Sequence, residues 1–177
     1  KHLLLWCEQG LGDTIQFIRY LPLVETKAER VTLISPDRLV RLLRSFESGC
    51  NIVGEGEAAP VADFNAPLMS LPHLLDLNEI PAKTPYLAAE PDLVEAWAKK
   101  LGANKKPCIG INWQGNPNYE ADHQRSVAFK LLEPMLAMPD FQFVSLQKGF
   151  GQDQIKDQSA KIFDLGDELD IAAAFVD

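Results

Sequence analysis

The run His2-Leu3-Leu4-Leu5-Trp6 passes directly into Cys7-Glu8-Gln9-Gly10-Leu11-Gly12-Asp13-Thr14, a junction that leaves few folds open. Five nearly all-apolar residues suit a parallel strand buried on both faces. Beyond the junction Phe17, Leu21 and Val24 repeat at helical spacing, and Pro22 predicts a kink or an early stop. A strand that enters a helix through two glycines leaves backbone N–H groups unpaired at the helix start, with Asp13 beside them. That arrangement suits a phosphate-bearing or polyhydroxy ligand. It equally suits a first-turn acid favoured by the helix dipole, and both readings of Asp13 stand at this point. Gly10 and Gly12 permit positive φ or close ligand approach. Gly-Leu-Gly-Asp lacks the third glycine of the dinucleotide fingerprint and the Lys-Ser/Thr of a P-loop, which argues against a nicotinamide cofactor or a P-loop ATP site.

The remainder of the chain alternates strand and helix patterns. Arg30 to Ser35 is a β-branched run, and Pro36-Asp37 opens a helix carrying Leu39, Leu42, Leu43 and Phe46. Cys50 to Val53 predicts a third strand, Ala62 to Met69 a fourth, and Leu71 to Leu77 a helix. This order predicts a parallel sheet with helices on both faces. Asn78 to Pro91, with Pro81, Pro85 and Pro91, reads as a loop that feeds a helix bearing Leu93, Val94, Trp97 and Leu101 on one side. Gly102 to Pro107 is the best linker. Cys108 to Trp113 then repeats the design of the first strand and arrives at Gln114-Gly115-Asn116-Pro117. A helix near Phe129 to Met138, a strand at Phe141 to Leu146, a glycine loop Gln147 to Gly151, a short strand at Lys161 to Leu165 and a final helix start follow.

Composition excludes several classes. A net charge of −8 with 17 basic residues and no basic stripe argues against nucleic-acid binding. Cys7, Cys50 and Cys108 each lie in or beside a strand-like run, which predicts three reduced, partly buried thiols and a cytoplasmic-type protein. Neither the cysteines nor His2, His73 and His123 have metal spacing, and no apolar run reaches the length of a membrane span. With no initiating methionine, and with Ala172 to Asp177 ending inside an apolar pattern, both ends read as cut.

Several segments carry a family resemblance: Trp6-x-Glu8-Gln9-Gly10-Leu11-Gly12-Asp13-Thr14-Ile15-Gln16-Phe17-x-Arg19-Tyr20, Pro67 to Pro72, Pro85-Tyr86-Leu87, Gly110 to Pro117, Arg125-Ser126 and Phe143 to Gly149. In this order they resemble the glycosyltransferase-like domain that follows tetratricopeptide repeats in many bacterial proteins. More distantly the chain is similar to the heptosyltransferases, which transfer heptose from ADP-heptose. The resemblance implies an α/β, GT-B-like fold of two Rossmann-like units, an acceptor-side domain over residues 1–104 and the first part of a donor-side domain over 105–177. Relatives continue past the position of Asp177 into a diphosphate-gripping helix start. Without it, the resemblance implies that the isolated chain is inactive and that its second sheet has an edge prone to self-association.

By the same resemblance Asp13 is the general base on an acceptor hydroxyl, and Arg125 contacts the phosphates of a nucleotide-sugar donor. Gly10, Gly12, Gln16, Asn112, Gln114, Asn116 and Lys148 are the further substrate-binding candidates. A solvated loop arginine is the alternative for Arg125, and turn formation the alternative for Asn112, Gln114 and Asn116. No metal or other cofactor is required, and the acceptor, glycan or protein, is unspecified. The loops at Gln9 to Asp13 and Gln114 to Pro117 are expected to face one cleft beyond the strand ends. The competing reading is a non-catalytic binding or scaffold module that kept the fold, because fold alone does not decide function.

Overall fold

The computed structural model describes residues 1–102, 106–156, 161–166 and 168–169. It is an α/β protein whose two sheets are wholly parallel, and its described residues divide into units 1–94 and 95–169. The linker positions 103–105 and the final helix start lie at or run into residues outside those described.

In the first unit β1 (His2–Trp6), β2 (Arg30–Ser35), β3 (Asn51–Gly54) and β4 (Phe64–Pro67) form a sheet of order β3-β2-β1-β4. β1 pairs with β2 from His2 opposite Arg30 to Trp6 opposite Ile34. Pro22 resolves the first helical segment into pieces. α1 (Leu11–Phe17) passes through a 3-10 turn at Ile18–Tyr20 into α2 (Leu21–Glu25), where the proline occupies the first turn and its missing N–H costs nothing. α3 (Asp37–Leu43) starts after Pro36, and α4 (Leu71–Leu74) follows a 3-10 turn at Leu68–Ser70.

Period-two alternation decides which sheet face is sealed. Leu5, Val31, Leu33, Ile52 and Ala66 pack into one cluster with Ile18, Leu21 and Val24, Leu39 and Leu43, and Leu71. Leu4, Trp6, Ile34 and Val53 are only half-buried and lie outside that cluster. This corrects two expectations: β1 is not buried on both faces, and among the described residues the helices of this unit pack into a cluster on one face. His2 explains why the other face needs no apolar seal at its start. Its buried imidazole donates from Nδ1 to the Val61 carbonyl (3.0 Å) and accepts at Nε2 from the Thr32 hydroxyl (2.9 Å), a structural histidine.

α5 (Pro91–Leu101) places Leu93 on the first core. In the second unit its Trp97 and Leu101 pack on Val144, Leu165 and Leu169. Val94, expected on the same stripe, is exposed. β5 (Cys108–Ile111), β6 (Gln142–Ser145) and β7 (Phe163–Asp164) form a second sheet of order β5-β6-β7. The expected helix at 129–138 is a 3-10 turn, Phe129–Leu131, followed by the short α6 (Glu133–Leu136), because Pro134 restarts the ladder. Ile111, Trp113, Phe129, Leu136 and Phe143 form the second core, with the Trp113 and Phe129 ring centroids 4.7 Å apart. Cys108 is exposed rather than partly buried, since it opens the edge strand β5. Among the described residues no helix is long and apolar enough to cross a membrane.

Candidate functional site

Parallel sheets collect ligand-binding loops at the carboxyl ends of their strands. In the first unit that position holds Cys7 to Gly10. Gly10 caps α1 with φ −68°, so it does not use the left-handed freedom of glycine. Its N–H is not free either: it donates to Asp13 Oδ2 at 3.0 Å. Of the donors expected at the helix start this one is taken, because Asp13 turns back to cap its own helix, while the N–H groups of Leu11 and Gly12 have no partner among the described residues. Asp13 is half-buried, and Oδ1 has no partner among the described residues. Thr14 is buried, with its N–H 3.1 Å from the Gly10 carbonyl. Gly12 is exposed, and a Cβ there would meet nothing within 4 Å. Gln16 is exposed and engaged through its carbonyl, which accepts from Arg19 Nε at 2.9 Å.

Carboxylates gather around this loop. Glu8 Oε1 accepts the Met69 N–H at 3.3 Å, tying the ends of β1 and β4. Burial pushes the Cys7 thiol up to about 11, an effect reinforced by Glu8 and Glu55 and partly offset by the Thr14 hydroxyl. At the neighbouring strand ends Glu57 Oε1 accepts the Gly54 N–H at 2.9 Å. A Cβ on Gly54 would fall 2.2 Å from Asp37 Oδ1, so a larger residue there displaces the Asp37 side chain.

The second unit builds a denser arrangement. Gln147, buried at the end of β6, accepts at Oε1 from the N–H groups of Trp113 and Gln114, both at 3.0 Å. Its Nε2 donates to the carbonyls of Gln114 (2.8 Å) and Phe150 (2.6 Å). One side chain thereby clamps the loop after β5 to the loop after β6. Gln114 Oε1 accepts from Gln154 Nε2 at 2.8 Å, and Gly151, at φ +83°, leaves space for it. Asn112 is exposed and donates to the Leu146 carbonyl at 3.4 Å. Asn116 Oδ1 accepts the Asn118 N–H at 3.0 Å, an Asx turn, which is the turn-forming alternative for this residue.

Arg125 is exposed yet fixed. Its Nε donates to Asp122 Oδ1 at 2.9 Å and its guanidinium carbon lies 5.0 Å from the Tyr119 ring centroid. Asp122 is buried, and its other oxygen accepts from the Ser126 hydroxyl at 2.7 Å, while Ser126 Oγ accepts the Gly115 N–H at 2.9 Å. The Ser126 hydroxyl first, then Arg125, hold the Asp122 carboxyl below its usual range against the cost of burial. A Cβ on Gly115 would approach Asp122 Oδ1 to 2.5 Å and Arg125 to 2.7 Å, so glycine lets the ion pair lie against the loop. Lys148 donates to the Leu169 carbonyl.

Gln114, Asn116 and Arg125 thus come together around one loop, with Asn112 and Lys148 beside the ends of β5 and β6. Sequence reading did not single out Asp122, Ser126 or Tyr119 as the supports of Arg125. The signal was present in Asp122-x-x-Arg125-Ser126, an acid and a base one helical turn apart. Among the described residues no group of histidine, cysteine and carboxylates is arranged to hold a metal ion.

These features define an α/β protein with polar loops gathered at the carboxyl ends of two parallel sheets. No protein-family model matches the chain, and no solved structure matches it. It is 31% identical over an alignment of 185 residues to protein FlbA of Caulobacter vibrioides (strain ATCC 19089 / CIP 103742 / CB 15), a match covering 88% of this chain and 30% of FlbA. The chain therefore spans less than a third of the length of that relative.

Proposed function

We propose that the chain is part of a GT-B-type glycosyltransferase, with Asp13 as general base and Arg125 as a donor-phosphate contact. The observation that carries this reading is Asp13: a half-buried carboxylate at the carboxyl end of β1, oriented by one oxygen on the Gly10 N–H and free at the other among the described residues. In the proposed reaction an acceptor hydroxyl oxygen bonds to the anomeric carbon while the bond from that carbon to the nucleotide diphosphate breaks. The hydroxyl proton passes to Asp13, and the diphosphate leaves with its charge met by Arg125. Arg125 suits this role because Asp122 and Tyr119 fix its plane before a phosphate arrives.

A scaffold module is the second reading, and the same Gly10 to Asp13 bond favours it. An acid that caps its own helix has a structural reason to be there. The experiment that separates the two is Asp13→Asn in the full-length parent, with sugar transfer assayed alongside calorimetry of UDP, GDP and ADP. Loss of the base lowers turnover by ~10² to 10⁴ while nucleotide affinity stays level. Arg125→Ala instead weakens nucleotide binding. Unchanged transfer in Asp13→Asn refutes the catalytic role and leaves Asp13 as a helix cap.

A further inference from the structure

The first unit has a cavity of about 210 Å³ whose walls come from three distant stretches: Arg19 and Pro22, Ser45 to Glu47, and the proline-rich segment from Pro81 to Ala88. Helices that cross over between parallel strands run back along the sheet. α1 starts at the carboxyl end of β1 and α3 at that of β2, so the residues following them lie toward the opposite end from the Gly10 to Asp13 loop. None of the candidate-site residues lines this cavity, although its Arg19 donates to the Gln16 carbonyl.

Its chemistry is specific in two respects. Arg19 is fixed in place by neutral groups only among the described residues: Nε donates to the Gln16 carbonyl (2.9 Å), Nη2 donates to the Tyr86 hydroxyl (3.0 Å), and the guanidinium carbon lies 4.6 Å from the Tyr86 ring centroid. Tyr86 is anchored in turn by donating to the Ile15 carbonyl at 3.0 Å. By contrast Arg41 pairs with Glu90, Arg44 with Glu57 and Arg125 with Asp122. Lys83, also on the cavity wall, has no carboxylate partner among the described residues. In a chain of net charge −8, a concave surface with two cations against the single acid Glu47 is a local reversal of sign. Apart from Ser45, the remaining wall is mainly carbon, with the Phe46 ring edge-on to Tyr86 (centroids 6.3 Å apart, 87°) and prolines around them.

We propose that this cavity binds a small organic anion, a carboxylate carried on a compact ring or branched apolar body, with Arg19 and Lys83 on the carboxylate and Phe46 against the body. A pre-oriented guanidinium loses little freedom on binding, which favours a planar anion over a neutral guest. The volume limits the body to about one ring. This inference stands independently of sugar transfer.

The test is an NMR titration of the whole chain with four probes: benzoate, cyclohexanecarboxylate, acetate and benzamide. Both ring carboxylates should shift resonances of Tyr86 and Phe46 saturably and bind about tenfold more tightly than acetate or benzamide, the ratio expected when one charge contact or one apolar wall is lost. Arg19→Gln also removes the Nη2 bond to Tyr86, so Lys83→Gln and Phe46→Leu are the deciding variants, with circular dichroism confirming that each is folded. Lys83→Gln should weaken benzoate several-fold and leave benzamide unaltered, and Phe46→Leu should weaken the ring carboxylates without affecting acetate. Equal affinity for benzamide and benzoate, benzoate affinity unmoved by Lys83→Gln, or no saturable binding of either ring carboxylate would overturn the proposal.

Discussion

Replacing Gln147 with Leu removes a clamp whose strength follows from its bonds. The side chain is 2% exposed and makes four hydrogen bonds, accepting from the N–H groups of Trp113 and Gln114 and donating to the carbonyls of Gln114 and Phe150. A typical intramolecular hydrogen bond contributes ~1 kcal/mol net, so the four together are worth roughly 4 kcal/mol. Leucine fills much of the space but satisfies none of the four backbone groups, and each one left dry costs more than the mean bond. Water entering the cavity would recover part of that loss. The expected destabilisation is therefore about 3 to 5 kcal/mol, large for a single substitution. Urea unfolding followed through the near-ultraviolet signal of the three tryptophans measures it, and hydrogen exchange of the Trp113 and Gln114 amides locates it. A loss below about 1 kcal/mol, with both amides still protected, would refute the claim that Gln147 joins the two loops.

Four other outcomes are expected. Burial pushes the thiols of Cys7 and Cys50 up to about 11 and about 12, so a thiol reagent at mildly alkaline pH should modify exposed Cys108 rapidly and the other two only on unfolding. Because both folded values are raised, the stability these thiols contribute is complete below about pH 9 and is lost as pH climbs through their folded values, which alkaline unfolding curves should show. Asp122 has the opposite sign: its folded value is lowered, so its contribution is present above the ordinary carboxylate range and disappears as pH falls through the lowered value. Asp122→Asn should flatten that part of the acid unfolding profile, and an unaltered profile would refute the assignment. Finally, β5 is an edge strand among the described residues, and Leu131, Met138 and Phe150 are exposed in the same unit, so sedimentation should show concentration-dependent association, against which a strictly monomeric profile would count.

The elements most legible in the sequence are those set by local chemistry. β2 occupies Arg30–Ser35 as expected because a β-branched run lies between turn residues, and α3 begins after Pro36 for the same kind of reason. β4 is shorter than its apolar pattern, since Pro67 donates nothing to a ladder and the chain tightens into a 3-10 turn at once. The degree of covering over β1 was not legible. Its residues are apolar on both faces, whereas burial depends on which face the helices pack against. The site divides similarly. Asp13 and Arg125 announce themselves by type and position, but the bonds that restrain them do not, and Gln147 meets partners more than thirty residues away through an amide that looks like any loop glutamine.

Those restraints bear on how each residue can act. Asp13 and Arg125 both hold a partner without any substrate, and the partners differ in what they leave available. The Gly10 N–H takes one carboxylate oxygen and adds no formal charge, so Asp13 has a fixed plane and, among the described residues, an open oxygen. Asp122 is a carboxylate, and it neutralises much of the charge of Arg125 before any phosphate arrives. A phosphate at Arg125 must then gain from orientation more than from net attraction, with the terminal guanidinium nitrogens offered while Nε stays on Asp122. Removing Asp122 would therefore strengthen the raw charge of Arg125 yet free its plane. If phosphate recognition at this loop depends on geometry, Asp122→Ala weakens nucleotide binding; if it depends on charge alone, the same substitution tightens it.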